Sequence, residues 1–255
     1  MPENPVPVPL KRLATKYGTF FAAEGDSITW QLANYGAHTR NELAMVLQHI
    51  DPGDVIIDFG AHIGTFAVPM AVRAGSFGKV LAIEGSPETF AILERNIDAN
   101  GLAGKVKPIN AIVGQGPQQR LKRVDVGGNS GAGFYQPDPA AEHGANDALT
   151  LVTSHGFTQP HFIKIDIEGM ELFVLRSLAP ILSAHRPKLY VEVVGGQLAR
   201  FGVTVAELDA FLRSFGYRFY RNTGERNSGH DRFEQTELAT LAEGGNFFDL
   251  LALPG

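Results

Sequence analysis

The sequence predicts an α/β fold: a mostly parallel sheet with helices on both faces and an antiparallel strand pair near the C-terminal end. Two observations carry this. Between residues 54 and 194 short apolar runs alternate with stretches of helical apolar spacing, and repeated strand–helix units call for a parallel sheet covered on both sides. Further on, the runs at 217–220 and 247–253 have no helical pattern between them. Parallel strands need a long, usually helical crossover, so this pair is expected to be antiparallel, joined by a long loop.

The elements follow in order. Val55-Ile56-Ile57 is a β-branched run ending in Asp58-Phe59-Gly60, and 65–74 then has helical spacing. A second strand over 80–83 ends at Glu84-Gly85-Ser86-Pro87; Phe90, Ile92, Leu93 and Ile97 then recur at helical intervals until Asn100-Gly101 stops the helix. The third strand is predicted over 106–113 and the fourth over 162–167. One helix should follow the fourth, with Met170, Phe173, Val174, Leu178 and Ile181 on one face. A fifth strand covers 189–194, and a helix over 208–215 is ended by Gly216. The segment 114–160 is rich in Gly, Asp and Pro and has no helical period until about Ala148, and loops of this length are usually functional or disordered.

Composition bounds the function. The chain has 255 residues, 44% hydrophobic and 19% charged, enough for a sizeable core. We divide it into an N-terminal arm and helical flap over 1–50 and a principal domain over 51–255. Pro2, Pro5, Pro7 and Pro9 make the start an extended arm rather than a signal peptide. The net charge of −5, without a basic run, predicts no nucleic-acid partner. No apolar run approaches the ~18 residues of a membrane span, so no membrane partner and a cytoplasmic location are expected. With no cysteine, disulfides, thiolate metal sites and a Cys nucleophile are excluded. The histidines form neither H-x-H nor H-E-x-x-H, Ser130 misses the nucleophile-elbow pattern, and Gly101 to Lys105 is no phosphate-binding loop.

Two strand tips carry the chemistry. At the first, Asp58-Phe59-Gly60-Ala61-His62-Ile63-Gly64 opens a helix, and small residues at 60, 61 and 64 let backbone approach a ligand at the helix N-terminus. Glu84 ends the next strand 20 residues after Gly64, about the spacing at which an acid meets ribose hydroxyls in a dinucleotide fold. Two ribose cofactors compete. A nicotinamide dinucleotide prefers G-x-G-x-x-G, whereas His62 stands at the second glycine here and Asp58 would oppose a pyrophosphate. S-adenosylmethionine is cationic where Asp58 is anionic, which is favourable. A tight turn with helix-capping acids is the purely structural alternative. His62 is read as structural or orienting rather than catalytic.

At the fourth tip, Lys164, Asp166 and Glu168 alternate along the chain and so share one side of a strand. A lysine inside a strand is costly unless paired, so Lys164 is expected to meet a carboxylate. Structurally this could be that pair plus a helix-capping Glu168. Functionally, Asp166 and Glu168 would face the same crevice as Asp58 and Glu84.

These segments, together with Ile163-Lys164-Ile165-Asp166-Ile167-Glu168-Gly169-Met170-Glu171, resemble the FkbM family of class I S-adenosylmethionine-dependent methyltransferases over roughly 35–194. The resemblance implies a Rossmann-like, seven-stranded sheet and O-methylation of a hydroxyl on a small acceptor: a sugar, polyketide or other secondary product. It implies that Gly60, Ala61 and Gly64 pass under the methionine part, Glu84 binds the ribose, Asn110 and Ala111 border the adenine, and Asp166 sits beside the reacting methyl. The cofactor-binding candidates are thus Asp58, Gly60, Ala61, His62, Gly64, Thr65, Glu84, Gly85, Ser86, Asn110, Ala111 and Asp166; the catalytic candidates are Asp166, Glu168 and Lys164. Two positions depart from the family pattern: Thr150-Leu151-Val152, where Thr-Leu-Asp is common, and His161, where an acid is common.

An aliphatic hydroxyl is a poor nucleophile, so a base or a metal must help remove its proton. Asp166 or Glu168 is the expected base. Together, with Glu192 as a third ligand, they could hold a divalent cation such as magnesium; but a carboxylate beside a sulfonium needs no ion, and no metal is predicted. A nicotinamide-dependent reductase is the alternative function. Glu42 could reach the cofactor's ammonium or be an inert, exposed helix-end acid. Tyr17, Phe20, Phe21, Trp30 and Tyr35 form either a flap over the acceptor or core, and the 127–133 and 223–245 loops are candidate substrate walls.

Overall fold

The computed structural model describes residues 9–127, 133–141 and 144–255. Pro2, Pro5, Pro7, Ser130 and the rest of the 128–132 stretch lie outside the described residues. The chain opens with a hairpin of β1 (Leu10–Thr15) and β2 (Gly18–Ala23), then α1 (Ser27–Tyr35) and α2 (Arg40–Leu47). Asp26 caps α1 by accepting from the Ile28 amide at 2.8 Å. Next come β3 (Val55–Phe59), α3 (Ala67–Arg73), β4 (Lys79–Glu84), α4 (Pro87–Ala99) and β5 (Val106–Asn110). An inserted region holds β6 (Val113–Gly114), β7 (Leu121–Val124), β8 (Phe134–Pro137), β9 (Asn146–Asp147) and α5 (Ala148–Ser154). The chain then runs through β10 (Phe162–Ile165), α6 (Glu171–Ser177), α7 (Ala179–His185), β11 (Lys188–Val194), α8 (Gly195–Arg200), α9 (Val205–Ser214), β12 (Tyr217–Asn222), β13 (Gln235–Leu238) and β14 (Phe247–Pro254).

The main sheet has the order β13-β12-β14-β11-β10-β3-β4-β5. Strands β5, β4, β3, β10 and β11 are parallel, while β14 runs antiparallel between β11 and β12. The strands from β5 across to β12 are the seven expected, and β13 adds an eighth at the edge. Its sequence, Gln-Thr-Glu-Leu, buries only Leu238, so no apolar pattern marks it. From β3 the chain winds outward to β4 and β5, then returns to place β10 and β11 on the other flank. That reversal opens a crevice beyond the C-terminal ends of β3 and β10, where ligands of such sheets bind.

Strand alternation divides the core. Ile57, Phe59, Leu81 and Ile83 face one layer with α5, α6, α7 and α9; Ile56, Val80 and Ala82 face the other with α2, α3 and α4. The N-terminal hairpin joins this second layer through Phe20 and Ala22. It is also stitched to α4: Asn96 accepts from the Phe21 amide at 2.6 Å and donates to its carbonyl at 3.1 Å, while Asn100 does the same for Thr19 at 2.9 and 2.8 Å. This hairpin was not foreseen.

Other boundaries shift for local reasons. The third strand stops at Asn110, not 113, because β4 ends at Glu84 and offers no further partner; Val113–Gly114 pairs instead with Asn146–Asp147. The fourth stops at Ile165, after which Glu168 and Gly169 take positive φ angles of 60° and 110° and turn the chain. The single helix expected after it is two, broken at Leu178 because Pro180 has no N–H to continue the ladder. At the departures, Val152 fills the core between α5 and α6, and the His161 ring accepts from the Val55 amide at 3.0 Å. Among the described residues, no helix is long and apolar enough to cross a membrane.

Candidate active site

The site is built on the pairing of β3 with β10. Lys164 and Asp58 are register partners, and the lysine Nζ lies 3.2 Å from Asp58 Oδ1, 3.4 Å from Asp166 Oδ2 and 3.1 Å from the Gly60 carbonyl that accepts from it. The Lys164 side chain is 3% exposed and Asp58 0%, while Asp166 is 35% exposed, so Asp166 is the member of the triad that faces the crevice. Burial alone would discharge the lysine, but the two carboxylates outweigh it and raise its pKa. Burial likewise opposes ionisation of Asp166, yet Lys164 above all, with Arg226 beyond it, holds its carboxyl below the ordinary value. Gly60 (φ +76°) is indispensable because a Cβ there would overlap the Asp166 backbone carbonyl. The glycine thus serves the approach of two loops as much as that of a ligand.

Glu84 closes the other side. Its Oε2 accepts from the His62 amide at 2.9 Å and its Oε1 from the Ser86 amide at 2.7 Å, so one carboxylate fixes both loops that follow β3 and β4. Burial raises its pKa against these two bonds. Each oxygen keeps a second lone pair for an incoming hydroxyl. Between Glu84 and Asp166 runs a cleft of about 840 Å³, counting space open to solvent. Its floor is the Gly60-Ala61-His62 turn, and its roof comes from the inserted hairpin: Arg123, Phe134 and Tyr135. Tyr135 packs over Gly85, where a Cβ would meet its ring and hydroxyl at 3.1 Å, and Phe134 stacks on the Arg200 guanidinium at 3.8 Å. His38 and His62 also line the cleft, and burial keeps both neutral, with pKa values of about 3 and about 4.

Beyond Asp166 the chain gathers acids. Asp166, Glu168 and Glu192 each offer a carboxylate oxygen within 4.8 Å of the others. The Gln197 amide donates to Glu168, and Glu171 braces the turn by accepting from the Ile167 and Gly169 amides at 3.2 and 3.0 Å. Burial, then Asp166 and Glu171, pushes the Glu168 carboxyl up to about 8.

A glycine-lined cleft flanked by Glu84 therefore adjoins a second end rich in carboxylates. A family model described as the methyltransferase FkbM domain matches residues 58–219. The chain belongs to that family. Its sheet is the class I methyltransferase fold, and membership makes S-adenosylmethionine the cofactor and sets the nicotinamide alternative aside. The hexuronic acid methyltransferase AglP of Haloferax volcanii is 25% identical over 181 residues, 66% of this chain and 67% of that protein. A tRNA (guanine(37)-N(1))-methyltransferase of Saccharomyces cerevisiae is 38% identical over 77 residues, 30% of this chain and 15% of the other. Among solved structures, M. jannaschii TYW2 in complex with AdoMet superposes with a TM-score of 0.49 at 14% identity, covering 95% of this chain and 84% of that one. A precorrin-6y C5,15-methyltransferase from Geobacter metallireducens superposes with a TM-score of 0.49 at 11% identity, covering 84% and 87%.

Within this FkbM domain, the predicted residues divide into two groups. Gly60, Ala61, His62, Thr65, Glu84, Gly85, Ala111, Lys164, Asp166 and Glu168 line the cleft. Asp58, Gly64, Ser86 and Asn110 support it from behind. Asp58 is the buried partner of Lys164; Gly64 makes room for Leu93, which a Cβ would meet at 2.9 Å; Ser86 caps α4; and Asn110 donates to the Glu84 carbonyl at 2.8 Å. Glu42 is buried, not exposed. It accepts from Asn222 at 3.1 Å on the β12 side, away from the cleft lining. Of the proposed flap aromatics, Phe20 is core, Trp30 is 56% exposed against Tyr35, and none of the five lines the cleft. Of the two substrate-wall loops, Gly133 contributes to the lining and the described 223–245 residues do not. The sequence reading does not single out His38, Arg123, Tyr135 or the brace Glu171, although Glu171 stands inside the segment from Ile163 to Glu171.

Proposed function

We propose that this FkbM domain is an O-methyltransferase acting on a hydroxyl of a small acceptor, in the class of sugar acids. The observation that carries the reading is Asp166: ionised by Lys164, open to the cleft, and set beside Glu168 where an acceptor would enter. The relative that methylates a hexuronic acid supports the acceptor class. S-adenosylmethionine supplies, when bound, a methyl group activated by a sulfonium, which leaves as a neutral thioether when the new O–C bond forms.

The chain's residues fit that cofactor. Glu84, held by two amides, has lone pairs left for a ribose diol. The Gly60-Ala61 turn gives a floor without side-chain bulk, and Tyr135 and Arg123 roof the opposite side. At the acceptor end Asp166 orients the hydroxyl, and the Asp166–Glu168 pair takes its proton as the O–C bond forms. Alignment of two bound reactants can supply about 7–11 kcal/mol of the barrier, so rigid placement of this pair matters more than base strength.

The test is incubation with methyl-labelled S-adenosylmethionine and a panel of hexuronic acids, neutral sugars and tRNA. Label is expected on a sugar-acid hydroxyl, and Asp166→Asn should lose turnover while still binding S-adenosylhomocysteine. Label on tRNA alone, or undiminished turnover in the variant, overturns the reading.

A further inference from the structure

We infer that Asp166, Glu168 and Glu192 form a binding site for one hard divalent cation of the magnesium or manganese type, at the acceptor end of the cleft. The three side chains come from separate places: the β10 tip, the turn after it, and β11. One oxygen of each lies within 4.8 Å of the others. Three carboxylates converging in this way repel one another strongly unless protons or a cation neutralise them, and a cation is what would let all three stay ionised.

The decisive observation is Glu192. Among the described residues, its Oε2 is sealed from solvent and finds no hydrogen-bond partner. A buried carboxylate oxygen without a donor carries a heavy desolvation cost, and native proteins satisfy such atoms with protein, water or an ion. Neighbouring cations do not meet the need. Lys164 is shared between Asp58 and Asp166, and Arg226 pairs with Asp249 at 3.0 Å. The Arg200 guanidinium donates to the Glu168 backbone carbonyl at 3.3 Å, and the Gln197 amide brings Glu168 no charge. An all-oxygen, all-carboxylate donor set selects a hard ion, and magnesium commonly binds through a few carboxylates while water or substrate fills its other positions.

The inference deepens the functional reading and rests on it in one respect: a sugar-acid acceptor is itself an anion. Without a cation, its carboxylate would approach a cluster of like charge. With one, an acceptor hydroxyl and carboxylate could both ligate the ion and be held for alignment.

The experiment uses the full chain, stripped with chelator and titrated with manganese while free Mn²⁺ is followed by electron paramagnetic resonance. One tightly bound Mn²⁺ per chain, displaced by magnesium, is expected. Glu192→Gln should weaken binding at least tenfold with S-adenosylhomocysteine affinity unchanged. Glu168→Gln is the second variant, and the melting temperature of the unaltered chain should rise with Mn²⁺, an effect the variants lose. Absence of bound Mn²⁺, or equal affinity in both variants, overturns the site. If S-adenosylhomocysteine binds and methyl transfer proceeds but no Mn²⁺ is bound, the cation inference fails alone. If Mn²⁺ binds as expected but no sugar acid is methylated, the site stands and the acceptor reading falls.

Discussion

Lys164 Nζ stands 3.2 Å from Asp58 Oδ1 across the pairing of β10 with β3, and both side chains are shut away from water. Removing one partner of such a pair leaves an uncompensated buried charge, at a cost of about 3–5 kcal/mol. Lys164→Met should therefore lower the unfolding free energy from urea titration by that amount. Adding Asp58→Asn should recover part of the loss; a double variant no better than the single one contradicts the pairing.

Gly60→Ala is expected to damage both stability and turnover. The left-handed φ costs a non-glycine residue about 1–2 kcal/mol, and the new methyl must displace the Asp166 carbonyl. The loss of turnover should exceed the loss of folded protein, because the displaced backbone carries the carboxylate facing the acceptor. Circular dichroism melts and a single-turnover assay on the folded fraction separate the two effects.

Glu84→Ala removes a charged acceptor from any bound ribose. Hydrogen bonds to charged groups are worth about 1.5–3 kcal/mol, which predicts roughly 10- to 150-fold weaker binding of S-adenosylhomocysteine by calorimetry. NADH, run alongside, should show no binding to either protein. Retained affinity in the variant would remove Glu84 from the cofactor site.

Glu42 predicts a pH dependence of stability. Burial, then the nearby Asp249, pushes its carboxyl up to about 7 from the ordinary 4.5. Between these values the folded chain holds a proton that the unfolded chain has released. The stabilisation from Glu42 is therefore complete below about pH 4.5 and is lost as the pH rises through about 7. Glu42→Gln should flatten the fall in stability between pH 5 and 7 by up to about 1.4 kcal/mol per pH unit. Parallel urea-midpoint curves for the two proteins would show that Glu42 does not titrate there.

The parallel strands were legible because runs such as Val55-Ile56-Ile57 are buried on both faces and therefore apolar throughout, and because Gly60 and Gly85 punctuate their ends. The pairing at the β10 tip was legible too, since period-two spacing puts Lys164 and Asp166 on one side, whereas Glu168, expected on the same strand face, lies beyond the strand on a positive-φ turn. What stayed hidden depends on partners far away in the chain. The N-terminal hairpin is fixed by the side-chain amides of Asn96 and Asn100, about 80 residues on, and nothing local marks those asparagines as struts. Glu42 looked like a surface acid because its partner Asn222 is 180 residues distant. The roof over the cleft is a short, half-polar hairpin inside a glycine-rich stretch, where periodicity carries no signal. The break at Leu178, by contrast, was readable from Pro180 and was missed.

The position of β14 bears on how the molecule is made. It comes after every other strand of the main sheet, yet it lies between β11 and β12, hydrogen-bonded to both. While a ribosome is still producing residues 223–254, which takes a few seconds at about 5–20 residues per second, the nascent sheet has a gap in its middle. During that interval β11 and β12 each present an unpaired edge and the apolar side chains that β14 will cover, so the emerging chain is open to chaperone capture and to pairing with a neighbouring copy.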